Sequence, residues 1–395
     1  MPEKRSMPER TAANIKRLAY FERFFDPVAE RTLAVRPEIE LVCLSYGRPE
    51  QESWAEMSRA HGYQIQPRGE LREPWFGDAA LLQRCPSLLA ICSSGAGYDM
   101  IDLDACTAAG VIVCNQSGFN KEAVAEHALG FMLALSKKIG LADKALRHEG
   151  VRDRFRFTGN DIRGKTVGVI GIGQIGTRTA ELCRILFGMT VLAYDPYLTA
   201  EQIRERGAVK VELEDLLRRS DFVTLHCPRT AETMGMVGRA QLALMKPTAF
   251  FISTARGGIH SEDDLAEALR AGKIAGAGLD VFLEEPPPPD HPLLAFDTVI
   301  ATPHIAGVTE EALYDTAAAT AEQWIAIFAG SLPPRLVNPA GWPRYAERFE
   351  RLLGFAPGPL DAPSLEQMRA RLESRSEVQL SVSPADAVRA ERDRS

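Results

Sequence analysis

The chain has 395 residues, of which 45% are hydrophobic and 25% charged, and its formal net charge is −7 at pH 7. This length and apolar content suit two globular domains and a tail, whereas a negative charge without any Lys/Arg block argues against nucleic acid as a partner. The cysteines lack CxxC or zinc spacing, the N-terminus lacks an apolar signal segment, and no apolar run approaches the ~18 residues of a membrane span. We therefore expect a cytoplasmic protein that acts on small molecules, with no membrane contact and no metal site.

The N-terminal third of the chain predicts a small α/β domain. Residues 1–36 begin with a charged stretch and are interpreted as an N-terminal extension. From 37 to 119 the apolar runs IELVCLS, LLAIC and VIVCN alternate with loops that contain Gly and Pro, which favours short strands joined by helices. Apolar residues at helical spacing over 121–147 predict one long or twice-broken helix that leads to the next domain.

The segment 120–308 predicts a second domain with a larger sheet. Its runs TVGVIG, TVLAYD, DFVTLHC, AFFIST, AGAGLDV and TVIAT alternate with helical patterns. Because these runs lack apolar–polar alternation, we expect strands buried on both faces of a parallel, doubly wound sheet. The helical segment 309–340 is long enough to pack back on the first domain, which would make that domain discontinuous, and 341–395 is predicted to be a flexible tail.

A glycine-rich turn opens the larger domain. Gly171, Gly173 and Gly176 stand in the spacing GxGxxG directly after an apolar run and at the start of a helix, where glycines allow the backbone and helix amides to approach a pyrophosphate. Asp195 ends the next predicted strand about 20 residues on, where an acid accepts hydrogen bonds from ribose hydroxyls and repels a 2′-phosphate. The pattern therefore predicts NAD rather than NADP. The alternative is a glycine turn that binds nothing, with Asp195 merely ending a strand.

From about Pro86 to Asn338 the sequence resembles the D-isomer-specific 2-hydroxyacid dehydrogenase family, which includes D-lactate, glyoxylate/hydroxypyruvate and D-3-phosphoglycerate dehydrogenases. The motifs SSGAGYDMID, NKEAVAEHALG, TVGVIGIGQIG, LHCPRTAETMGMV, FFISTARGG, GAGLDVFLEEP and ATPHIAG appear in the family's order. The resemblance implies an α/β fold in which a doubly wound Rossmann NAD domain (120–308) is inserted in a discontinuous flavodoxin-like substrate domain (37–119 and 309–340). It also implies an active site in the cleft between the domains and a homodimer built largely on the NAD domains.

Three residues match the family's catalytic motifs. His304 would exchange a proton with the substrate oxygen, and Glu285 would fix its tautomer and favour the protonated acid near neutrality. Arg256 offers a planar fork for a substrate carboxylate, and the resemblance adds backbone amides from Ser94, Gly95 and Ala96 as substrate contacts. Each residue alone reads more simply as a solvated charge or a structural histidine, but together, after consecutive strands, they favour catalysis.

The resemblance also extends the cofactor site beyond the glycines. His226 is placed on the adenine side, although a structural role for it is equally open, and Asp280 matches the residue that holds the nicotinamide carboxamide, although it could simply cap a turn. The remaining predicted cofactor contacts are Gln174, Ile175, Pro228, Thr233, Thr254, Ala255 and His304.

Two functions from different classes follow. The first is an NAD-dependent D-2-hydroxyacid dehydrogenase that works as a 2-oxoacid reductase; the second is an NAD(H)-sensing binding protein like the transcriptional corepressors that resemble this family. Phosphoglycerate dehydrogenases usually carry an Arg at the position of Ser93, so the sequence favours a small unphosphorylated 2-oxoacid whose tail meets serine hydroxyls and the ring of Tyr98. Arg48 or Arg72 could still supply a cation to the cleft.

Overall fold

The computed structural model describes residues 15–67 and 69–360, and its frame is two parallel β-sheets. The first sheet contains β1 (Lys16–Phe21), β2 (Ile39–Leu44), β3 (Gly62–Ile65), β4 (Ala90–Ser93) and β5 (Ile112–Cys114). The second contains β6 (Thr166–Ile170), β7 (Thr190–Tyr194), β8 (Val209–Lys210), β9 (Phe222–Leu225), β10 (Phe250–Ser253), β11 (Gly276–Leu279) and β12 (Val299–Ala301).

The strand orders explain where ligands can bind. The first sheet runs β2-β1-β3-β4-β5 and the second β12-β11-β10-β9-β6-β7-β8, with every pair parallel. Each order reverses direction once, in the second sheet between β6 and β9, and open α/β sheets form their ligand crevices outside the carboxyl ends of the strands at such a point. The predicted doubly wound α/β class is confirmed.

Helices cover the faces of both sheets. They are α1 (Pro27–Ala34), α2 (Glu50–Met57), α3 (Ala79–Arg84), α4 (Leu103–Ala109), α5 (Lys121–Ser136), α6 (Ile139–His148), α7 (Gln174–Phe187), α8 (Ala200–Glu205), α9 (Leu213–Arg219), α10 (Arg239–Leu242), α11 (Glu262–Arg270), α12 (Glu310–Phe328) and α13 (Trp342–Leu353). The joining helix is thus broken once, at Lys138, whose positive φ of 53° separates α5 from α6. Single short 3₁₀ turns cover Arg154–Phe157, Pro292–Ala295 and Pro339–Gly341.

The chain passes twice between the sheets. After β5 it enters α5, which packs on α7, β10 and β11 of the second sheet. After β12 it returns through α12, which packs on α1, and the indole of Trp324 in α12 donates to Gln64 of β3 at 2.7 Å. The first sheet is therefore completed by a segment that follows the second sheet in sequence.

The predicted N-terminal extension over 1–36 is wrong for the described residues of that range. Strand β1 lies inside the first sheet, between β2 and β3, and α1 follows it. The charges at the start of β1 are accommodated at the sheet margin: Arg17 pairs with Glu40 at 3.0 Å, and the ammonium of Lys16 lies 5.8 Å from the centre of the Phe355 ring. Residues 1–14 lie outside the described residues.

The predicted flexible tail also begins too early. Helix α13 buries Trp342, Tyr345 and Phe349 completely or nearly so, and the guanidinium of Arg348 donates to the carbonyls of Leu88 and Pro86 at 2.8 and 2.7 Å. Residues 342–357 therefore belong to the folded unit. The part of the predicted tail from 361 to 395 lies outside the described residues.

Within residues 15–67 and 69–360, no helix combines the length and hydropathy needed to cross a membrane.

Candidate active site

The glycine turn lies at the switch point of the second sheet, between β6 and α7. Gly171 has a φ of +85°, and a Cβ there would come within 2.7 Å of the Cys227 backbone nitrogen. A Cβ on Gly176 would lie 2.2 Å from the carbonyl oxygen of Gly171. Because backbone atoms cannot yield, both positions require glycine, and α7 packs close to the strand as a dinucleotide site demands.

The same turn leaves room and amides for a pyrophosphate. Gly173 caps α7 without a side-chain hydrogen bond, and in the described part of the chain no heavy atom would lie within 4 Å of a Cβ built on it. The first turn of α7, which begins with Gln174 and Ile175, faces this space with the positive end of its dipole. An open pocket adjoins it, lined by Lys121, Gly173, Gln174, Thr177, Arg178, Glu181 and Arg206.

Asp195 stands beside the glycine turn, as a ribose-binding acid should. Its two carboxylate oxygens accept from the amides of Ile172 and Tyr197 at 3.2 and 3.1 Å. The first of these bonds ties the end of β7 to the glycine turn itself. The residues present at this edge therefore fit a dinucleotide with an unphosphorylated 2′-hydroxyl.

The other predicted cofactor positions follow β9 and β10, and they differ in what they can offer a ligand. Burial lowers the pKa of His226 to about 3, so its ring is neutral; its Nε2 lies 3.0 Å from the Thr224 hydroxyl, and its Nδ1 is buried with no hydrogen-bond partner among the described residues. Thr233 donates to the carbonyl of Pro228 at 2.7 Å and so shapes that loop. Thr254, next to Ala255, is 6% exposed and has a hydroxyl with no protein partner among the described residues, which suits a ligand contact.

His304 and Glu285 form a direct pair. Nδ1 of His304 lies 2.7 Å from one carboxylate oxygen of Glu285, and the other oxygen accepts from the amide of Phe282 at 3.1 Å. Burial acts to raise the pKa of Glu285, but the hydrogen bond from His304, the His304 charge, the Phe282 amide and the charge of Arg256 together outweigh it and hold this pKa below its ordinary value. Glu285 is therefore an anion in the working range, and Nε2 of His304 is left to exchange a proton with a ligand.

Asp280 fixes the backbone that carries His304. Its carboxylate accepts from the Thr302 hydroxyl at 2.6 Å and from the amides of Ile305 and Ala306 at 2.8 Å each, and its carbonyl accepts from the amide of His304 at 2.8 Å. His304 has a φ of +56°, a left-handed conformation that a non-glycine residue keeps only where neighbours impose it. These bonds give Asp280 a positioning role, and its predicted contact with a carboxamide stays a prediction.

Sequence reasoning did not connect His127 to this site. Its Nε2 lies 3.1 Å from the Thr302 hydroxyl, which in turn donates to Asp280. The motif NKEAVAEHALG contains His127, but the sequence does not reveal that α5 passes behind the His304 loop.

Arg256 reaches from the end of β10 to the loop 94–99 that follows β4. A Cβ built on Gly97 would lie 2.1 Å from Nη2 of Arg256, so the guanidinium fills the space beside this glycine. Nη1 of Arg256 donates to the carbonyl of Ala255 at 2.7 Å. Its Nε lies 3.7 Å from a carboxylate oxygen of Asp99. The guanidinium thus lies where the loops of the two sheets meet, with 29% of its side chain exposed.

The predicted substrate contacts of the loop 94–99 need correction. The amide of Ser94 donates to the carbonyl of Ile65, its hydroxyl donates there too, and its oxygen accepts from Gln64. Ser93 is 1% exposed and donates to the carbonyl of Gly97, while its oxygen accepts from the Gly95 amide at 3.3 Å. The predictions that the Ser94 amide and the serine hydroxyls meet the substrate are therefore wrong, because the fold uses these groups to shape the loop. The amide of Ala96 has no hydrogen-bond partner among the described residues.

Two further charged residues at this junction were missed. The guanidinium of Arg229, which follows β9, donates to Asp99 at 2.6 Å, and Asp99 also faces Arg256. Each of these residues alone looks like a solvated charge in the sequence, and only the meeting of two distant loops brings them together.

Over the part of the chain that the structure describes, no group of three or more His, Cys, Asp or Glu side chains could hold a metal ion.

Comparison with known proteins agrees with this geometry. Residues 129–306 match the family model described as "D-isomer specific 2-hydroxyacid dehydrogenase, NAD binding domain". A D-3-phosphoglycerate dehydrogenase of Archaeoglobus fulgidus is 44% identical over 258 residues, which are 65% of this chain and 48% of the relative. A glyoxylate reductase of Aeropyrum pernix is 40% identical over 268 residues, 66% of this chain and 79% of the relative. The chain spans about half the length of the D-3-phosphoglycerate dehydrogenases that it matches.

Solved structures extend the similarity to the whole fold. A glyoxylate reductase from Paecilomyes thermophila superposes with a TM-score of 0.74 at 26% identity, covering 82% of this chain and 98% of that one. A D-lactate dehydrogenase from Aquifex aeolicus in complex with NAD and lactic acid superposes with a TM-score of 0.70 at 29% identity, covering 81% and 99%.

Proposed function

The chain belongs to the D-isomer-specific 2-hydroxyacid dehydrogenase family, and from this premise we propose that it is an NAD-dependent oxidoreductase that interconverts a small 2-oxoacid and a D-2-hydroxyacid. The observation that carries the proposal is the 2.7 Å contact between His304 and Glu285, at the edge of the sheet where the glycine turn and Asp195 fit a dinucleotide. NAD(H), when bound, supplies or accepts the hydride. The chain's own groups then have to move one proton and hold one carboxylate.

His304 is the acid and base of this proposal. Its Nδ1 is engaged by Glu285, so the proton that reaches the carbonyl oxygen of a 2-oxoacid leaves from Nε2, and the same nitrogen takes a proton from the hydroxyl in the reverse direction. An anionic Glu285 stabilises the imidazolium and turns the ring, and Asp280 holds the backbone under it. Neither carboxylate needs to change its own protonation.

Arg256 is the carboxylate receptor. A guanidinium can give two parallel hydrogen bonds to a carboxylate, which fixes the acid's orientation as well as binding it. The amide of Ala96 is positioned on the facing loop to assist. Together, the guanidinium and the amide would hold the 2-oxo carbon at a fixed place between Arg256 and His304. Hydride transfer requires such a fixed position of the carbon that is reduced.

The substrate is proposed to be small and unphosphorylated. Relatives named as D-3-phosphoglycerate dehydrogenase and as glyoxylate reductase both match the chain, so the relatives alone leave the choice open. Arg72, one cation that could bind a phosphate, stacks its guanidinium 4.7 Å from the centre of the Tyr46 ring, and Ser93 is enclosed in its loop. Both features support a small acid.

A homodimer is part of the proposal. Exposed apolar side chains lie on α6 and the turn after it, where Ile139, Leu146 and Phe155 are 56%, 70% and 72% exposed. Such a surface on the nucleotide-binding half is suited to a second copy. The dimer and the cytoplasmic location both stay predictions.

A substrate panel tests the function directly. The purified chain is assayed for NADH oxidation with glyoxylate, hydroxypyruvate, pyruvate and 3-phosphohydroxypyruvate, and for NAD reduction with both enantiomers of lactate and glycerate. We expect turnover of at least one unphosphorylated 2-oxoacid and of D enantiomers alone. NADH binding without turnover of any acid would instead support the alternative of an NAD(H)-sensing binding protein.

A further inference from the structure

His127 stands at the start of a hydrogen-bond chain that leads to the turn of His304. Nε2 of His127 lies 3.1 Å from the Thr302 hydroxyl, and that hydroxyl donates to a carboxylate oxygen of Asp280 at 2.6 Å. A hydroxyl has a single proton to give, and here the carboxylate accepts it. Nε2 of His127 is therefore the donor to Thr302, so it carries a proton whether the ring is neutral or charged.

The chain ends on the groups that hold His304 in place. The amide of His304 lies 2.8 Å from the carbonyl oxygen of Asp280 and 3.0 Å from that of Thr302. The carboxylate of Asp280, a residue that is 1% exposed, accepts from the amides of Ile305 and Ala306 at 2.8 Å each. These bonds surround a residue whose φ is +56°, and such a conformation persists only where neighbours impose it.

Packing fixes the place of His127 behind this turn. His127 and Phe131 are about one helical turn apart on α5 and share a face, and their rings meet edge to face with centres 4.6 Å apart. Phe131 fills the space beside Gly278 of β11, where a Cβ would lie 2.7 Å from its Cγ. Helix α5 is therefore seated on the strand that Asp280 follows. The His127 side chain is 22% exposed, and its Nε2 lies 3.9 Å from the Asp280 carboxylate.

We propose that His127 is a positioning residue of the catalytic turn: its Nε2–H group orients the Thr302 hydroxyl toward Asp280, and this bond helps to hold the His304 ring beside the substrate oxygen. This role rests on the proposed function and deepens it, because it adds a residue of α5 to the groups that the reaction needs. His127 neither touches the reacting atoms nor gives a proton to the substrate.

Two substitutions of His127 separate its hydrogen bond from the space that its ring fills. His127→Leu removes the donor, and the rate of NADH oxidation in a single turnover should fall about tenfold, the rate equivalent of one hydrogen bond. His127→Gln offers an amide N–H near the position of Nε2, and its rate should return to within about threefold of wild type. KM for the 2-oxoacid and Kd for NADH should change by less than about threefold in both variants, because the interaction lost does not contact either ligand.

Thr302 supplies a second test, because the chain passes through its hydroxyl. Thr302→Val removes the hydroxyl and should slow the single turnover by at least about tenfold, whereas Thr302→Ser keeps the hydroxyl and should stay near the wild-type rate. When Thr302→Val is already present, His127→Leu should slow the reaction by less than about twofold more, because two residues that act through one chain are not additive. Independent effects of the two residues would multiply instead.

The pH profile distinguishes the role of His127 from that of Glu285. His127→Leu should lower the rate of reduction across the pH range and leave the midpoint of its fall unchanged, since the proton on Nε2 is present in both charge states of the ring. The matched control is Glu126→Gln, which changes an exposed neighbour on α5 and should keep the wild-type rate. NADH fluorescence and the thermal midpoint verify that each variant is folded.

Several outcomes would overturn the proposal. They are a wild-type rate in His127→Leu or in Thr302→Val, equal rates in His127→Leu and His127→Gln, multiplying effects in the double variant, and a shifted pH midpoint in His127→Leu. If the wild type turns over no 2-oxoacid, the proposed function fails, and nitrogen NMR of the NADH-loaded protein with isotope-labelled histidine then decides the role of His127. A proton on Nε2, with a His304 signal that moves in His127→Leu but not in His127→Gln, supports it; a neutral His127 ring protonated on Nδ1 alone overturns it.

Discussion

Replacing Glu285 with Gln tests how strongly one carboxylate governs the proton chemistry of this enzyme. The pKa of Glu285 is held below its ordinary value, so the side chain is ionised throughout the pH range in which the enzyme would work. An anion 2.7 Å from Nδ1 favours the imidazolium form of His304. Reduction draws its proton from the pair that His304 and Glu285 form, and Glu285→Gln removes the negative charge of this pair, so the fall of the reduction rate at high pH should move to lower pH.

The size of the shift follows from the geometry. A hydrogen bond to a charged group contributes roughly 1.5 to 3 kcal/mol, and the lower figure applies because the His304 side chain is 37% exposed and solvent screens the pair. One pH unit corresponds to about 1.4 kcal/mol. The pH at which kcat/KM for reduction is halved should therefore fall by about one unit.

The assay is NADH oxidation at saturating cofactor across pH 5 to 10, with the best 2-oxoacid of the panel. The neighbouring Glu284 is exposed, and Glu284→Gln serves as the matched control that removes the same charge from the chain without touching the pair. The coupling of Glu285 to His304 would be refuted by identical pH profiles for wild type and Glu285→Gln, or by an equal shift in the control.

Three further residues and helix α13 allow independent tests. His304→Ala should reduce turnover by at least about 100-fold, the usual contribution of a general acid, while NADH binding measured by fluorescence survives; turnover at the wild-type rate would remove His304 from its role. Asp195→Ala should reduce the ratio of kcat/KM for NADH to that for NADPH, because the ribose hydrogen bonds and the repulsion of a 2′-phosphate are both lost. A wild-type enzyme that prefers NADPH would contradict the role of Asp195. Burial lowers the pKa of His260 from 6.5 to about 4, so as pH falls the unfolded chain takes up a proton on this residue before the folded chain does. The free energy of unfolding should therefore fall by about 1.4 kcal/mol per pH unit between pH 6.5 and 4, roughly 3 kcal/mol in all. In urea titrations, His260→Val should weaken this dependence of the unfolding free energy on pH, and an unchanged dependence would contradict the prediction. Ending the chain at Tyr345 rather than at residue 360 removes the buried Phe349 and Leu353 and should lower the free energy of unfolding by at least about 3 kcal/mol. Equal denaturation midpoints of the two shortened chains would show that this half of α13 contributes nothing.

The second sheet was predictable because its sequence signals are local. Strands β6, β7, β9, β10 and β11 are apolar runs that are mostly buried, β12 is a half-buried apolar run at the sheet edge, and most of these strands are followed by a helix. Arg256, Glu285 and His304 each come after a strand of this sheet, and parallel strands bring their carboxyl ends to one edge. The proximity of Arg256, Glu285 and His304 to one another could therefore be predicted from the order of the strands along the chain.

The first sheet was less predictable because distant residues stabilise its strands. β3 is the short sequence GYQI, in which Gly62 has no side chain and Gln64 is polar. Its burial depends on Trp324, whose ring would lie 2.4 Å from a Cβ on Gly62 and whose indole bonds Gln64. The sequence close to β3 does not indicate that Trp324, 260 positions away, is its partner.

The loop 94–99 shows the same limit at the site itself. Ser94 looks like a substrate donor, yet its hydroxyl is bound to the carbonyl of Ile65, which lies 29 positions earlier. Asp99 and Arg229 are 130 positions apart. The residue types indicated which groups could contact a substrate. The fold determines which partners bind those groups or orient them.

The return of α12 to the first sheet sets an order on the synthesis of the molecule. The hydrogen bond between Gln64 and Trp324 closes across 260 positions, so a growing chain exposes the face of β3 long before its cover is made. Everything needed for β6 to β12 has by then been translated, and domains generally fold as units during synthesis. The nucleotide-binding sheet is thus free to form while the N-terminal sheet waits, and the part of the protein that is made first is completed last.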